Sequence, residues 1–202
     1  MFNSQQPGCT YYYLPLSIYN LGVVNHAFDY GDNSRFDTHM DAHVYHEGVA
    51  KKGSNNVVSL ILKSLKSAGI MRENDIGGEL ILVFDNCSGQ NKNNMVLKML
   101  VWLVEVGYFK KVELIFLIVG HTKNAADRLF NMLKKLYRLR NLYTMEELIT
   151  TLNYSQTINV VPAVEEDFED WESFFDLFYS DFKGKVKKSY FHLLHCHSKV
   201  QE

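Results

Sequence analysis

Residues 80–93 read Leu80-Ile81-Leu82-Val83-Phe84-Asp85-Asn86-Cys87-Ser88-Gly89-Gln90-Asn91-Lys92-Asn93. The first five are apolar and predict a buried strand, and the apolar stretch after Asn93 predicts a helix. Asp85 therefore stands at the C-terminal end of a strand, shortly before a helix begins. In open α/β sheets, ligands and metals bind at this edge, where strand ends meet helix N-termini. The stretch thus predicts an α/β fold with a candidate site at Asp85.

A second junction between a strand and a helix has the same character. Residues 112–119 predict another buried strand, which runs into Gly120-His121-Thr122-Lys123-Asn124-Ala125-Ala126-Asp127. An amphipathic helix is predicted over 124–139. If the two strands are parallel neighbours, their polar ends meet at one edge of the sheet.

The remaining elements complete a mixed α/β order. Residues 11–24 are rich in aromatic and β-branched side chains and residues 38–46 alternate in polarity, and together they predict a β-meander. A helix is predicted over 54–67, a strand over 157–161, and a second helix opens at the capping box of Thr144 and Glu147. This order is that of the ribonuclease H-like fold, in which a β-meander precedes alternating parallel strands and helices in one mixed sheet with helices on both faces. A doubly wound sheet with a leading hairpin has a similar order and remains an alternative.

Composition is that of an ordinary globular chain. The 202 residues include 47% hydrophobic and 22% charged side chains and three prolines, which predicts a core over 1–155 with a small appendage over 156–202. No stretch approaches the roughly 18 apolar residues of a membrane span. The N-terminus lacks the features of a secretory signal, and three scattered cysteines form no disulfide framework. We therefore expect an intracellular protein, nuclear or cytoplasmic, with no membrane partner.

Charge is unevenly distributed along the chain. The net charge is −2, yet eight acidic residues and no Lys or Arg lie between Glu165 and Asp181. The rest is mildly basic, which is compatible with DNA as a partner. Within the acidic segment an aromatic stripe at helical spacing predicts core packing, and its acidic surroundings leave a protein partner as the alternative. The stripe consists of Trp171, Phe174, Phe175 and Phe178.

Four pieces of sequence, in order across nearly the whole chain, resemble a known family. They are Asn20-Leu21-Gly22, His46-Glu47-Gly48, residues 85–93, and Gly120-His121-Thr122 followed by Asp127-Arg128-Leu129-Phe130. Together they resemble the transposon-derived domain of unknown function 7869, which is similar in appearance to DDE-type transposases. The nine residues from Asp85 are the most specific of these pieces.

This resemblance implies a ribonuclease H-like core whose carboxylates hold Mg²⁺ or Mn²⁺ for attack on a phosphodiester, as in a nuclease or a strand-transfer enzyme. In such sites two cations about 3.5 to 4 Å apart clamp the attacking and leaving oxygens. Asp85 and Asp127 match two of the implied carboxylates, and Glu47 is a candidate for a third. Supporting polar groups at the same edge are expected from Asn86, Gln90, Asn91 and His121.

One implied residue is missing from the sequence. The resemblance places an aspartate on a first strand, well before a Gln-Pro-Gly-like turn, whereas Gln6-Pro7-Gly8 lies almost at Met1. Asn3 is a neutral amide and does not supply the charge that a bridging metal requires. We therefore expect a core that lacks the start of its first strand and whose catalysis is incomplete or lost. The alternative is a non-catalytic remnant of a mobile element that binds nucleic acid or protein.

Each candidate residue also fits a purely structural role. Asp85 is a typical turn residue after a strand, and Asp127 is an acid in a first helical turn, where the helix dipole favours it. Five basic residues are candidate contacts to a phosphate backbone, although a solvated helix face explains most of them equally well. These residues are Lys92, Lys123, Arg128, Lys134 and Lys135.

Overall fold

A computed structural model describes residues 16–26, 38–71, 78–85, 89–117, 125–155 and 157–182. These residues form five strands and five α-helices, which confirms the mixed α/β class. In chain order the elements are β1 (Ile18–His26), β2 (Thr38–His46), α1 (Ser54–Ser67), β3 (Glu79–Phe84), α2 (Asn94–Glu105), β4 (Lys111–Phe116), α3 (Ala125–Arg138), α4 (Met145–Leu152), β5 (Ile158–Pro162), a 3₁₀ turn (Glu165–Asp167) and α5 (Trp171–Asp176).

The chain divides into two compact units, and each unit takes two separate stretches of sequence. The first unit comprises residues 1–52 and 123–167, and the second comprises 53–122 and 168–202. The sequence predicted a different division into two consecutive segments, a core over 1–155 and an appendage over 156–202. This division stays a prediction.

The first unit is built on a three-stranded sheet with β2 in its centre. Strand β1 pairs antiparallel with β2, with Ile18 opposite His46, and β5 pairs parallel with β2, with Met40 opposite Ile158. Helices α3 and α4 bury their apolar stripes against this sheet. The core consists of Met40, Ala42, Val44, Leu129, Leu133, Leu148, Leu152, Ile158 and Val160.

A glycine in β1 permits the close approach of α3. A Cβ atom added at Gly22 would lie 2.6 Å from Cζ of Phe130 and 2.8 Å from Cε of Met40. Met40 is fully buried and has little room to move. Two of the sequence pieces described above, at Asn20-Leu21-Gly22 and at Asp127-Arg128-Leu129-Phe130, therefore meet in one packing contact.

The second unit contains the strand pair β3–β4 together with α1, α2 and α5. The two strands are parallel, with Leu82 opposite Leu114. Helix α2 is covered on nearly every side, because no residue from Asn94 to Val104 is exposed. Its Trp102 packs against Trp171 and Phe175 of α5, at centroid distances of 5.5 and 6.1 Å. The predicted enclosure of this helix is confirmed.

The strands that the structure describes form two sheets, whereas a single mixed sheet was predicted. Strands β3 and β4 pair with each other in one sheet, and both edges of β2 are taken by β1 and β5 in the other. Strand β5 comes from late in the chain, so no local signal in the sequence announces this pairing. In the described ranges no helix combines the length and the apolar character of a membrane span.

Candidate functional site

Asp85 lies where the sequence predicts it, directly after the last residue of β3, and its side chain is exposed. The side-chain amide of Asn91 donates a hydrogen bond to Oδ1 of Asp85. This bond fixes the orientation of the carboxylate at the end of the parallel strand. Asp85 and Asn91 are thus brought together as the sequence implied, six residues apart in one loop.

Two helix N-termini meet beside this loop. Asn93 caps α2, because its Oδ1 accepts a hydrogen bond from the backbone N–H of Val96 at 3.1 Å. The Nδ2 group of the same Asn93 donates to Oγ of Ser54, the first residue of α1, at 3.0 Å. Helix N-termini carry a partial positive charge and unpaired N–H groups, which attract anions such as phosphate.

Lys92 adds a full positive charge to the same loop. Its Nζ lies 5.4 Å from the ring centroid of Phe116, the last residue of β4, in cation–π geometry. We call Ser54, Asp85 and residues 89–93 the rim. The rim combines a carboxylate, side-chain amides, a cation and two helix N-termini, a set suited to a phosphate group with an associated cation. Gln90 is half-buried within it.

The other two predicted carboxylates belong to the first unit. Asp127 lies in the first turn of α3, the position where the helix dipole favours an acid irrespective of function. Glu47 follows β2, and its carboxylate accepts a hydrogen bond from the backbone N–H of Ser17 at 3.2 Å. Its own N–H donates to the carbonyl of Ser17 at 2.9 Å. Glu47 thus closes the open end of the β1–β2 pair. Asn86, His121 and Lys123 lie outside the described residues.

A metal ion at the rim would find few protein ligands among the described residues. No group of three or more His, Cys, Asp and Glu side chains able to hold a metal occurs in that part of the chain. A closed, all-protein metal site therefore does not fit the described residues. A single carboxylate such as that of Asp85 does fit a more open arrangement, in which Mg²⁺ binds one or two carboxylates, several waters and oxygens of a substrate phosphate.

Helix α3 presents a basic surface in the first unit. It buries Leu129 and Leu133 against the sheet and exposes all four of its cations. Met132 of this helix is 43% exposed, and Leu139, directly after the helix, is 91% exposed. We call this surface the α3 face, and it consists of Arg128, Met132, Lys134, Lys135, Arg138 and Leu139.

Comparison with known proteins places the chain in a family. A family model described as Domain of unknown function (DUF7869) matches residues 14–201. The chain belongs to this family. No curated protein and no solved structure matches it. The resemblance inferred from the four sequence pieces is therefore confirmed at the level of the family. The relation to transposases and to the ribonuclease H-like fold stays a prediction.

One charged residue of this DUF7869 domain was missed in the sequence. Lys98 of α2 is only 5% exposed, and its Nζ lies 2.6 Å from Oδ1 of Asp176 and 2.8 Å from Oδ1 of Asp181. The hydrogen bonds that Lys98 donates to Asp176 and then to Asp181 raise the pKa of Lys98 above its usual value. The sequence feature that could have indicated this pairing is the acidic segment from Glu165 to Asp181, which contains no Lys or Arg. Two of its acids pair with the lysine on α2.

Acidification is expected to destabilise the DUF7869 domain through three carboxylates. Hydrogen bonds from Ser17, from Ser173 and from Lys98 lower the pKa values of Glu47, Asp170 and Asp181 respectively. These groups bind protons more readily unfolded than folded. Their contribution to the free energy of unfolding is thus complete above the unfolded-state pKa values of about 4. It is lost as the pH falls through the lower pKa values of the folded state.

This expectation is checked by urea unfolding at a series of pH values from about 6 down to about 3, the range in which carboxylates titrate. Glu47→Gln removes one of the three groups, so stability should depend less steeply on pH in this variant. A free energy of unfolding that stays constant or rises on acidification would contradict the expectation.

Proposed function

We propose that this chain is a transposase- or integrase-derived domain that acts on the phosphodiester backbone of nucleic acid, with Asp85 as its metal-binding carboxylate. The observation that supports the proposal is the rim. It brings an oriented, exposed carboxylate together with Lys92 and the N-termini of α1 and α2. Cations and helix N-termini bind phosphate, and a carboxylate among them suits a divalent ion bound together with that phosphate.

The proposed cofactor is Mg²⁺ or Mn²⁺, which when bound polarises a phosphodiester oxygen and favours attack by water or by a 3′ hydroxyl. Asp85 would hold the ion, and Asn91 orients the carboxylate through its hydrogen bond. Lys92 and the two helix N-termini would hold the phosphate group. Asp127 is proposed as a further ligand by family resemblance, with the ribonuclease H-like fold as the framework for both acids.

The test is calorimetric titration with MnCl₂ and MgCl₂, with and without a short DNA duplex, of the parent chain and of Asp85→Asn and Asp127→Asn. We expect the binding heat of the parent to increase when DNA supplies phosphate oxygens, and to be lost in Asp85→Asn. Glu146→Gln is the control, since it removes one exposed acid of α4 outside the rim. Equal heats in the parent and Asp85→Asn would remove the metal site from consideration.

Cleavage is tested separately, with end-labelled DNA and RNA strands and either cation. Product that forms with the parent and not with Asp85→Asn would support a nuclease or strand-transfer function. If the chain binds metal and forms no cleavage product, the proposal is reduced to a domain that has kept the metal site and lost the catalytic activity.

The α3 face favours a second candidate function, which is binding of nucleic acid without chemistry. Four exposed cations on one helix suit contacts to a phosphate backbone, which need only positive charge and appropriate spacing. Such binding should weaken steeply with salt, and Lys134→Glu with Lys135→Glu should reduce it for all sequences alike. If duplex and single strands both fail to bind at low salt, this candidate is wrong.

A further inference from the structure

Helix α5 and the residues after it present exposed apolar side chains that the packing of the second unit does not use. Phe174 is 37% exposed, Leu177 78%, Phe178 66% and Phe182 39%. We call these four residues the α5 patch. Single exposed apolar residues are ordinary on protein surfaces, but adjacent aromatic ones mark a site of interaction.

Two aromatic rings of this patch, those of Phe174 and Phe178, pack against other aromatic side chains. Phe174 packs edge-on against Trp171 and Trp102, at centroid distances of 5.7 and 6.3 Å, and Phe178 packs against Phe174 at 5.3 Å. Trp171 is buried, and the Lys98 ion pairs fasten the same segment to α2. A partner therefore meets side chains that are already ordered, which lowers the entropic cost of binding.

The segment that carries most of the patch, from Glu165 to Asp181, is acidic. Glu169, Asp170 and Glu172 are exposed at the start of α5, and no Lys or Arg occurs from Glu165 to Asp181. The matching partner is an exposed helix that carries apolar side chains among positive charges.

The α3 face has this chemistry. Along α3, Arg128, Met132 and Lys135 follow one another at spacings of four and three residues, so they form a single stripe on the helix, and Leu139 is the residue directly after its end. All four are exposed. The same chain therefore carries an acidic aromatic surface and a basic apolar surface, on two different helices.

We propose that the α5 patch of one copy binds the α3 face of a second copy, so that the chain associates with itself. The apolar residues of each surface bury one another, and the surrounding charges of opposite sign select the pairing. Because each copy offers two different surfaces, the contact is heterologous unless two such contacts close a symmetric pair. The proposal is independent of any metal at the rim.

The experiment measures mass by analytical ultracentrifugation over a concentration series from about 1 µM to about 1 mM, a range that covers weak association. The samples are first freed of nucleic acid, which would otherwise link copies through the α3 face. The parent chain should move from the monomer mass toward twice that mass or more. Addition of about 1 M salt should weaken the association, because it screens the charges.

Two charge-reversal variants test which surfaces are involved. Glu169→Lys with Glu172→Lys reverses the surroundings of the α5 patch, and Arg128→Glu with Lys135→Glu reverses the α3 face. Each variant alone should remain monomeric, at least tenfold weaker in association than the parent. An equal mixture of the two should associate again, since each then meets a surface of opposite sign. Circular dichroism verifies that both variants are folded.

The apolar part of the contact is tested with Phe178→Ser. Its control is Tyr143→Ser, which removes an aromatic residue that is 79% exposed and lies on neither surface. We expect the first variant to lose association and the second to keep it. The proposal is overturned if the parent stays monomeric throughout the series, if either charge-reversal variant associates as the parent does, or if the mixture fails to recover.

Discussion

Replacing Phe175 by alanine is expected to lower the free energy of unfolding by about 3 to 5 kcal/mol, the usual cost of removing a buried phenylalanine ring. Phe175 is 0% exposed and contacts Trp171, Trp102, Phe174 and Tyr179. Removal of its ring leaves a cavity that fixed aromatic neighbours on several sides fill poorly. The docking of α5 on α2 should weaken as a result.

The measurement is urea unfolding followed by tryptophan fluorescence. Trp102 and Trp171 are the two tryptophans of the chain, and both lie in the cluster around Phe175. Phe178→Ala is the matched control, because that ring is 66% exposed and its loss should change stability by about 0.5 kcal/mol or less. Equal shifts of the unfolding midpoint in both variants would mean that Phe175 does not occupy the centre of this core.

Replacing Lys98 by glutamate is expected to cost about 3 to 5 kcal/mol, as for other buried charges that lose their partner. The variant places a carboxylate at a position that is 5% exposed and faces two further carboxylates, Asp176 and Asp181. Both the desolvation of the new charge and its repulsion by these acids oppose folding. α5 and the residues up to Asp181 should detach from α2 before the rest of the unit unfolds.

Lys98→Met is the informative control for this variant. Methionine has a similar length and no charge, while the side chains of Asp176 and Asp181 are 58% and 69% exposed and keep their hydration when the lysine is gone. We expect a loss of about 1 kcal/mol, close to that of an exposed ion pair. The stabilities of Lys98→Glu and Lys98→Met are compared by thermal unfolding followed by circular dichroism. A glutamate variant as stable as the parent would show that position 98 is open to solvent.

Much of the local structure followed from the sequence because its signals are local. Helix α1 ends where the sequence predicts, at Ser67, and its N-cap is Gly53, one residue before the predicted cap at 54–56. The capping box before α4 is confirmed by two hydrogen bonds between Thr144 and Glu147, at 3.1 and 3.2 Å. Strand β2 occupies the predicted residues 38–46. Each of these features depends on residues within a few positions of one another.

The features that escaped prediction depend on residues far apart in the chain. The pairing of β2 with β5 joins residues more than a hundred positions apart, and the contact of Lys98 with Asp176 spans 78. The aromatic stripe was predicted as core, which holds for Trp171 and Phe175. It is wrong for Phe174, which is 37% exposed, and for Phe178, which lies beyond the end of α5 at Asp176, where the helical spacing no longer applies.

In the candidate site, too, local contacts could be predicted from the sequence and contacts between distant residues could not. Asp85 and Asn91 belong to one loop, and their contact needed only the strand and the turn that the sequence predicts. The contact of Asn93 with Ser54, which joins the two helix N-termini at the rim, spans 39 residues and was not foreseen. The placement of Asp127 near Asp85 rested on β3 and β4 being parallel neighbours, which they are, and the placement itself stays a prediction.

The alternation of the chain between its two units determines how a shortened gene product would behave. The polypeptide leaves the first unit after Lys52, returns at Lys123, and leaves it again after Asp167. Any single break between residues 53 and 167 therefore divides both units at once. During synthesis, the sheet of the first unit cannot form completely before β5 is made, and the aromatic cluster of the second unit cannot form completely before α5 is made. Neither unit is therefore complete until most of the chain has emerged. Premature termination within this interval should yield fragments that chaperones and proteases remove, rather than a smaller folded domain.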